Sequence, residues 1–169
     1  MMMNVISALS SLVCIAVLSI PAGAQTANGA PHLQKQGTAT QLATDLRYVR
    51  TEAVARNEAV RISFYGDDAG SCYVVHTGTR AQCRCAGPVP ATCDDDAVQL
   101  KTVYLPAAQQ ISVQANVGSI LFDPLHGTST PAGTASVSGA PGAIHHIVNV
   151  MGRVRSCSPE GVVPGYPVC

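Results

Sequence analysis

The hydrophobic period of the chain changes once, near residue 58, and this change most restricts the fold. Before it, apolar residues recur at i, i+4, i+7 and i+11 and form one stripe on a helix predicted over residues 33–57. These residues are Leu42, Leu46, Val49 and Ala53. After it, residues 60–65 alternate as a half-buried strand does. Because a helix with one apolar stripe needs a sheet to cover it, the sequence predicts an α+β fold.

Short segments with strand character then follow one another to the end of the chain. The turn Gly66-Asp67-Asp68 ends the first segment, which we expect to form a hairpin with residues 72–76. A loop rich in Cys, Gly, Pro and Asp, residues 78–97, comes next. The later strand candidates are residues 100–105, 110–114, 119–122, 134–138, 144–150 and 153–157. Short strands joined by turns after a single helix predict antiparallel sheets.

Residues 5–20 form an almost wholly apolar run near the start of the chain. A helix of that length spans about 24 Å, just short of the ~30 Å hydrocarbon core of a bilayer. We therefore predict the core of a signal peptide or a short membrane segment, and Ala22-Gly23-Ala24 fits a cleavage site. The defining residues are Val5, Leu9, Leu12, Ile15, Leu18 and Ile20.

These patterns divide the chain into three predicted segments. Residues 1–24 are the apolar membrane or signal segment, and residues 25–58 are a linker and the amphipathic helix. Residues 59–169 are a β-rich domain that ends in a tail rich in Pro and Gly. Whether the apolar run is cleaved or retained, the remainder of the chain is exported.

Seven cysteines agree with export to an oxidising compartment. Cys14 lies in the apolar run, and the six disulfide candidates are Cys72, Cys83, Cys85, Cys93, Cys157 and Cys169. Six cysteines allow about 15 pairings. The most local pair is Cys157–Cys169, which would contribute about 3 kcal/mol in the chain-entropy model. The other four would then pair among themselves, with separate partners for Cys83 and Cys85. The Cys83-x-Cys85 spacing is tighter than that of structural zinc sites.

Charge and motifs exclude several classes of function. Ten Lys and Arg balance ten Asp and Glu, so nothing global indicates a nucleic-acid protein. The sequence has no G-x-S-x-G, H-E-x-x-H, P-loop or Rossmann motif. We predict no catalytic residue, no metal site, no cofactor and no small-molecule substrate. The triplet 94–96 is interpreted as a solvated turn, and His32, His76 and His126 as surface or loop histidines.

The segment 144–157 places two arginines beside a buried strand. Side chains alternate along a strand, so Arg153 and Arg155 should point the same way while Val154 points inward. Two guanidinium groups on one face suit a phosphate or the carboxylates of a partner. The alternative is a pair of solvated arginines that protect an edge strand from aggregation.

Three stretches in order resemble one family. The first is the apolar segment followed by a helix that contains the run 46–57, Leu-Arg-Tyr-Val-Arg-Thr-Glu-Ala-Val-Ala-Arg-Asn. The second is residues 120–124, Ile-Leu-Phe-Asp-Pro, with Gly127 behind it, and the third is residues 152–157, Gly-Arg-Val-Arg-Ser-Cys. Together they resemble the GspH/FimT family, the minor pseudopilins of type II secretion and minor pilins of type IV pili. The resemblance covers residues 5–157.

This resemblance implies a pilin-like fold and a structural subunit of a pilus or pseudopilus. The subunit would cross the bacterial inner membrane once, place its C-terminal domain in the periplasm, and contact other pilins in a filament. Family members are cut after a glycine and methylated on the next phenylalanine, and a glutamate follows. Asn4 stands about where that glutamate is expected, so we expect either a start upstream of Met1 or a divergent prepilin segment.

Two other functions stay open at this stage. In competence-type members the Gly-Arg-x-Arg region is implicated in DNA uptake during natural transformation, and the resemblance carries this role to Gly152, Arg153 and Arg155. They would contact phosphates of double-stranded DNA, with Gly152 allowing the turn. The third interpretation is a free periplasmic protein released by cleavage after Ala24.

Overall fold

The computed structural model describes residues 30–169, which form one helix and two antiparallel sheets. The helix is α1 (Ala30–Arg56). The strands are β1 (Val60–Asp67), β2 (Gly70–Thr77), β3 (Cys83–Arg84), β4 (Thr92–Cys93), β5 (Gln99–Pro106), β6 (Ser112–Ala115), β7 (Ser119–Phe122), β8 (Ser129–Thr130), β9 (Gly133–Ser138), β10 (Ala143–Val148) and β11 (Val154–Cys157). Short 3₁₀ turns cover Arg80–Gln82 and Ala107–Gln109.

The two sheets share the helix as a common cover. The first sheet has the strand order β5-β2-β1-β7-β8 and the second has β11-β10-β9-β6, while β3 and β4 form a separate small hairpin. Helix α1 contacts β1 and β7 of the first sheet and β9 and β11 of the second. One hydrophobic core therefore lies between the helix and both sheets. The α+β fold predicted from the change of period is confirmed.

The predicted strands correspond to eight of the observed ones, with ends displaced by two residues or fewer. The predicted hairpin of β1 and β2 is present, with Val60 opposite Thr77 and Tyr65 opposite Cys72. Strand β10 ends at Val148 rather than at residue 150, because Asn149 begins the turn to β11. The pattern did not predict β3, β4 or β8, because two residues are too few to show a period.

The helix follows the predicted stripe. Leu42, Leu46, Val49 and Ala53 are all completely buried, and they face the core. The helix ends where Asn57 takes a left-handed conformation with φ +50°, as asparagine does readily. Its backbone N–H donates to Val54 O at 3.2 Å.

A buried carboxylate ties the helix to the first sheet. Asp45 accepts hydrogen bonds from the hydroxyl of Tyr73 on β2 and from Lys101 Nζ on β5, both at 2.7 Å. Burial, and then the hydrogen bond to Asp45, raise the pKa of Tyr73 well above its ordinary value. The ion pair keeps the buried carboxylate compensated, which an isolated charge would not be.

A buried lysine ties the start of the helix to the second sheet. Lys35 Nζ donates to the carbonyl oxygens of Gly139 at 3.0 Å and Gly142 at 3.1 Å, and to that of Pro141. These carbonyls belong to the β9–β10 turn. Burial lowers the pKa of Lys35, and the negative charge of Glu160 partly opposes this.

Three disulfides crosslink the loop 78–97 and the C-terminal tail, which bury few apolar side chains. Cys157 bonds Cys169 and closes the tail, residues 158–169. Within the predicted group of four, Cys72 bonds Cys85 and Cys83 bonds Cys93, so Cys83 and Cys85 take separate partners as expected. The segment 78–97, called the cystine loop below, packs with these bonds on the outer side of β2 against Val74.

The predicted apolar segment lies outside the described residues, together with Cys14 and the six residues that define it (Val5, Leu9, Leu12, Ile15, Leu18 and Ile20). Among residues 30–169, no helix has both the length and the apolar character that crossing a membrane requires.

Candidate functional site

Helix α1 supplies the first component of the candidate site. Arg50 lies on the exposed side of the helix, one residue past the buried Val49. Its Nε donates to the carbonyl oxygen of Gly127 at 3.0 Å, across 77 positions of sequence. Arg50, from the first family-like stretch, therefore contacts Gly127, from the second.

The loop 123–127 is shaped by one carboxylate. Asp123 Oδ1 accepts hydrogen bonds from the backbone N–H groups of Leu125 at 3.0 Å and His126 at 2.9 Å. These donors, His126 first, hold the pKa of Asp123 below its ordinary value. The chain then turns through Gly127, at φ +61°, a conformation that L side chains rarely adopt.

The turn between β10 and β11 supplies the third component. Asn149 Oδ1 accepts from the backbone N–H groups of Met151 and Arg153, both at 3.0 Å, and its carbonyl accepts from Gly152 N–H at 2.8 Å. Gly152 is buried, with φ +70°. A Cβ at this position would lie 2.3 Å from Gly127 O and 3.2 Å from Arg50 Nε.

Arg50, Gly127 and Gly152 thus form one contact, which we call the junction. Each of the three family-like stretches contributes one residue to it. No pattern of residues predicts this contact, because the three stretches lie far apart in the chain. The role predicted for Gly152, allowing the turn, agrees with its backbone conformation, and the close approach of Gly127 adds a second reason for glycine.

The two predicted arginines lie beside the junction on an edge strand. Arg153 and Arg155 are exposed, while Val154 between them is half-buried and packs on the core. Arg155 stands opposite Ile147 in the pairing of β10 with β11. Within residues 30–169, neither arginine has a carboxylate oxygen within 4 Å. Both guanidinium groups are therefore accessible to a ligand.

Two buried histidines complete the polar interior. The prediction for His76 was wrong: it is fully buried in β2, where Nε2 lies 2.9 Å from Ser63 Oγ and Nδ1 lies 2.7 Å from Thr77 O. His146 is also fully buried, with Nδ1 2.8 Å from Ser156 Oγ. Burial, followed by the positive charge of Arg47, lowers the pKa of His146 to about 4. These histidines are neutral structural groups near pH 7.

Side chains that could bind a metal remain apart. Asp94, Asp95 and Asp96 are exposed on the cystine loop, as expected for a solvated turn. Across residues 30–169, no three His, Cys, Asp or Glu side chains come together as a metal site requires.

Comparison with known proteins identifies the family of this chain. A sequence model of the family described as type II transport protein GspH matches residues 38–152, a range that includes all three junction residues. No curated protein gives a significant match. Two crystal forms of the type IV minor pilin FimU of Pseudomonas aeruginosa share the fold, with TM-scores of 0.53 and 0.52 and 19% sequence identity in both. The aligned regions cover 75% and 78% of this chain and 90% and 98% of the FimU chains.

The predicted resemblance and the pilin-like fold are therefore confirmed. The family match covers more than half of the chain, and the FimU structures share its helix-on-sheet architecture at low sequence identity. The chain belongs to the GspH family of minor pilin-like structural subunits.

Proposed function

We propose that the chain is a minor subunit of a type IV pilus or of a type II secretion pseudopilus. Residues 1–24 act as the apolar segment in the inner membrane and in the filament core. Residues 25–58 link that segment to the domain, and residues 59–169 form the periplasmic domain. The partners are other pilins or pseudopilins, and the role is structural rather than enzymatic.

The exposed face of α1 is the observation that carries this proposal. Thr44 and Thr51 lie on that face, and their hydroxyls donate to the carbonyls four residues earlier, at 2.9 Å and 3.2 Å. Arg47 lies between them and folds back toward Ala43 O at 3.4 Å. The remaining small exposed residues of the face are Gly37, Thr40 and Ala55.

Such a face suits close packing against another helix. Because each threonine hydroxyl is already hydrogen-bonded within α1, burying it against a neighbour leaves no unsatisfied donor, which would cost about 1–3 kcal/mol. Small residues also let two helix backbones approach closely. One face of α1 thus packs on the core of its own domain, and the opposite face is free to pack against another subunit in a filament.

Photo-crosslinking in the source bacterium tests the proposal. A photoreactive phenylalanine analogue at Thr44 should give crosslinks to other pilins or pseudopilins, identified by mass spectrometry. The same analogue at Pro90, exposed on the cystine loop, is the matched control. Equal crosslinking to unrelated periplasmic proteins from both positions would contradict assembly through α1.

The native N-terminus separates this proposal from a free periplasmic protein. A chain that begins at Gln25 in the soluble periplasmic fraction would support release after Ala24. A chain retained in the membrane fraction with its apolar segment would support the subunit. N-terminal mass spectrometry of the protein from both fractions gives the answer.

DNA uptake is the second candidate, and the accessible pair Arg153 and Arg155 favours it. Both are exposed without a carboxylate within 4 Å in the described part of the chain, and Arg50 lies at the same end of the second sheet. With the net charge at zero, two or three phosphate contacts would give weak, sequence-independent binding. Each lost phosphate contact should lower the salt slope by about 0.9.

A salt series with double-stranded DNA tests this candidate on residues 25–169. The double variant Arg153→Ala/Arg155→Ala should weaken binding at low salt and reduce the slope of log K against log salt by about 2. Arg84→Ala, which removes an exposed arginine from the cystine loop, is the control. Unchanged binding by the double variant would exclude these arginines as the DNA contact.

A further inference from the structure

A cleft of about 690 Å³ lies between the last part of β1 and β6. One wall is the last part of β1, residues 64–67, and the other is residues 111–115, which include β6. Val117 and Gly118 close one end. The volume lies within the range of ligand-binding clefts, about 300–1,000 Å³.

The cleft exists because one stretch of chain changes sheets. Strand β6 pairs with β9 in the second sheet, whereas β7 pairs with β1 in the first. The β1–β7 pairing ends at Ser63 opposite Ser119, followed by one bond from Phe64 N–H to Gly118 O at 3.0 Å. Beyond that bond the two sheets diverge, and β1 and β6 border the space between them.

Within residues 30–169, each wall includes a strand edge that pairs with no other strand. Strand β6 is an outer strand of its sheet, and Val113 N–H donates to Ser71 Oγ at 2.8 Å rather than to β9. Since backbone groups alternate along a strand, Ala115 also directs its N–H and C=O away from β9. On β1 the same alternation directs Gly66, two residues after Phe64, toward the cleft. Residues 112–115 contain no lysine or proline, the usual protection of an exposed edge.

The cleft is lined by both apolar and polar side chains, and its two charged residues are Asp67 and Arg80. Phe64 and Val113 are buried residues of its lining. At the closed end, Arg80 Nε donates to Gly118 O at 3.0 Å, and its guanidinium carbon lies 5.3 Å from the centroid of the Tyr65 ring. At the opposite end lies Asp67, whose Oδ1 accepts a hydrogen bond from the backbone N–H of Ala69 at 2.9 Å.

Neither charge is neutralised within the described part of the chain, where no ion pair of 4 Å or less includes Arg80 or Asp67. The cleft therefore has a cation at its Gly118 end and an anion at the opposite end. An extended peptide matches this polarity when its C-terminal carboxylate faces Arg80.

We propose that this cleft binds the C-terminal segment of a partner protein as an added β-strand, with its terminal carboxylate at Arg80. Residues 111–115 span about 15 Å, so four or five peptide residues fill the wall. Main-chain hydrogen bonds to Ala115 and Gly66 provide affinity, and contacts of apolar peptide side chains with the half-buried Tyr65 and Val117 provide selectivity. The proposal holds whichever apparatus the subunit serves.

A display library of peptides with free C-termini tests the proposal, with the full-length chain in detergent micelles as the target. Enriched peptides are resynthesised as free acids and as C-terminal amides, and their binding is measured by fluorescence anisotropy. We expect the amide to bind at least tenfold more weakly than the acid. We also expect Arg80→Gln to weaken binding of the free acid at least fivefold and to leave binding of the amide unchanged. The control Arg84→Gln should change the binding of neither peptide.

Two further measurements locate the peptide. Ala115→Trp, which places a large side chain in the cleft, should abolish binding of the acid. Hydrogen exchange at the Gly66 and Ala115 amides should slow when the peptide is bound. Enrichment no greater than on empty micelles, equal binding of acid and amide, or full binding to Ala115→Trp would each overturn the proposal. The acid–amide comparison uses the unaltered chain, so it stays decisive if a variant fails to fold.

Discussion

Replacing Gly152 by alanine tests whether the junction is a point of close packing. Two costs act together at this position. A left-handed conformation costs a residue with a Cβ about 1–2 kcal/mol, and the φ of Gly152 is +70°. The new Cβ would also lie 2.3 Å from Gly127 O, a backbone atom that moves only with its loop. Such overpacking typically costs about 1–3 kcal/mol.

We therefore expect Gly152→Ala to lower the free energy of unfolding by about 2–4 kcal/mol, after the entropy that alanine removes from the unfolded chain. A domain of this size is stable by about 5–15 kcal/mol, so the variant should fold and its urea midpoint should be measurable. Faster hydrogen exchange at Gly127 would show that the strain reaches the facing loop.

Two other glycines separate the costs. Gly165 has φ +85° but no atom within 4 Å of a built Cβ, so Gly165→Ala reports the backbone cost alone. Gly37 lies in α1 with nothing within 4 Å, and Gly37→Ala should stabilise the domain by about 0.5–1 kcal/mol. If Gly152→Ala costs no more than Gly165→Ala, the close approach at the junction has no energetic weight and the reasoning is refuted.

Three further predictions concern other parts of the domain. Between pH 6.5 and about 4 the unfolded chain binds a proton at His146 that the folded chain, with its lowered pKa, does not. The free energy of unfolding should therefore decrease as the pH is lowered through this window, by up to about 3 kcal/mol, which urea titrations at each pH measure. His146→Gln should remove this part of the decrease. The double variant Cys157→Ser/Cys169→Ser should cost about 3 kcal/mol in the same titrations. Lys35→Met should cost about 1–3 kcal/mol and accelerate hydrogen exchange in residues 139–142, whose carbonyls lose their donor.

The features that sequence predicted well are those with a local physical signal. The stripe through Leu42 and Ala53 predicted the helix and its buried face, because burial repeats at the helical period. Alternation predicted β1 for the same reason, whereas β2, which is buried at nearly every position, was predicted as a short apolar run after a turn. Cysteine spacing predicted the Cys157–Cys169 bond and separate partners for Cys83 and Cys85. It did not choose between Cys72 and Cys93 as those partners, which the packing of the loop on β2 decides.

The features that sequence reasoning missed depend on contacts between distant segments. His76 lies in the strand predicted as residues 72–76, but its burial against Ser63 depends on the packing of both strands. From the sequence, Lys35 is an ordinary lysine on a helix. Its burial depends on the β9–β10 turn, whose three carbonyl oxygens accept its hydrogen bonds. The cleft depends on where β6 leaves one sheet and β7 joins the other, and no residue type marks that point.

The junction also bears on how the Gly-Arg-Val-Arg segment is interpreted. Residue 152 must be glycine because a Cβ there would collide with Gly127 O and because its φ is +70°. Packing therefore explains this glycine without any ligand. Arg153 and Arg155 are exposed and make no side-chain hydrogen bond within residues 30–169, so folding places no comparable demand on them. The fold therefore accounts for Gly152, while a ligand contact by Arg153 and Arg155 stays a prediction. Two variants separate these roles. The double variant Arg153→Ala/Arg155→Ala should leave the free energy of unfolding nearly unchanged, whereas Gly152→Ala should lower it.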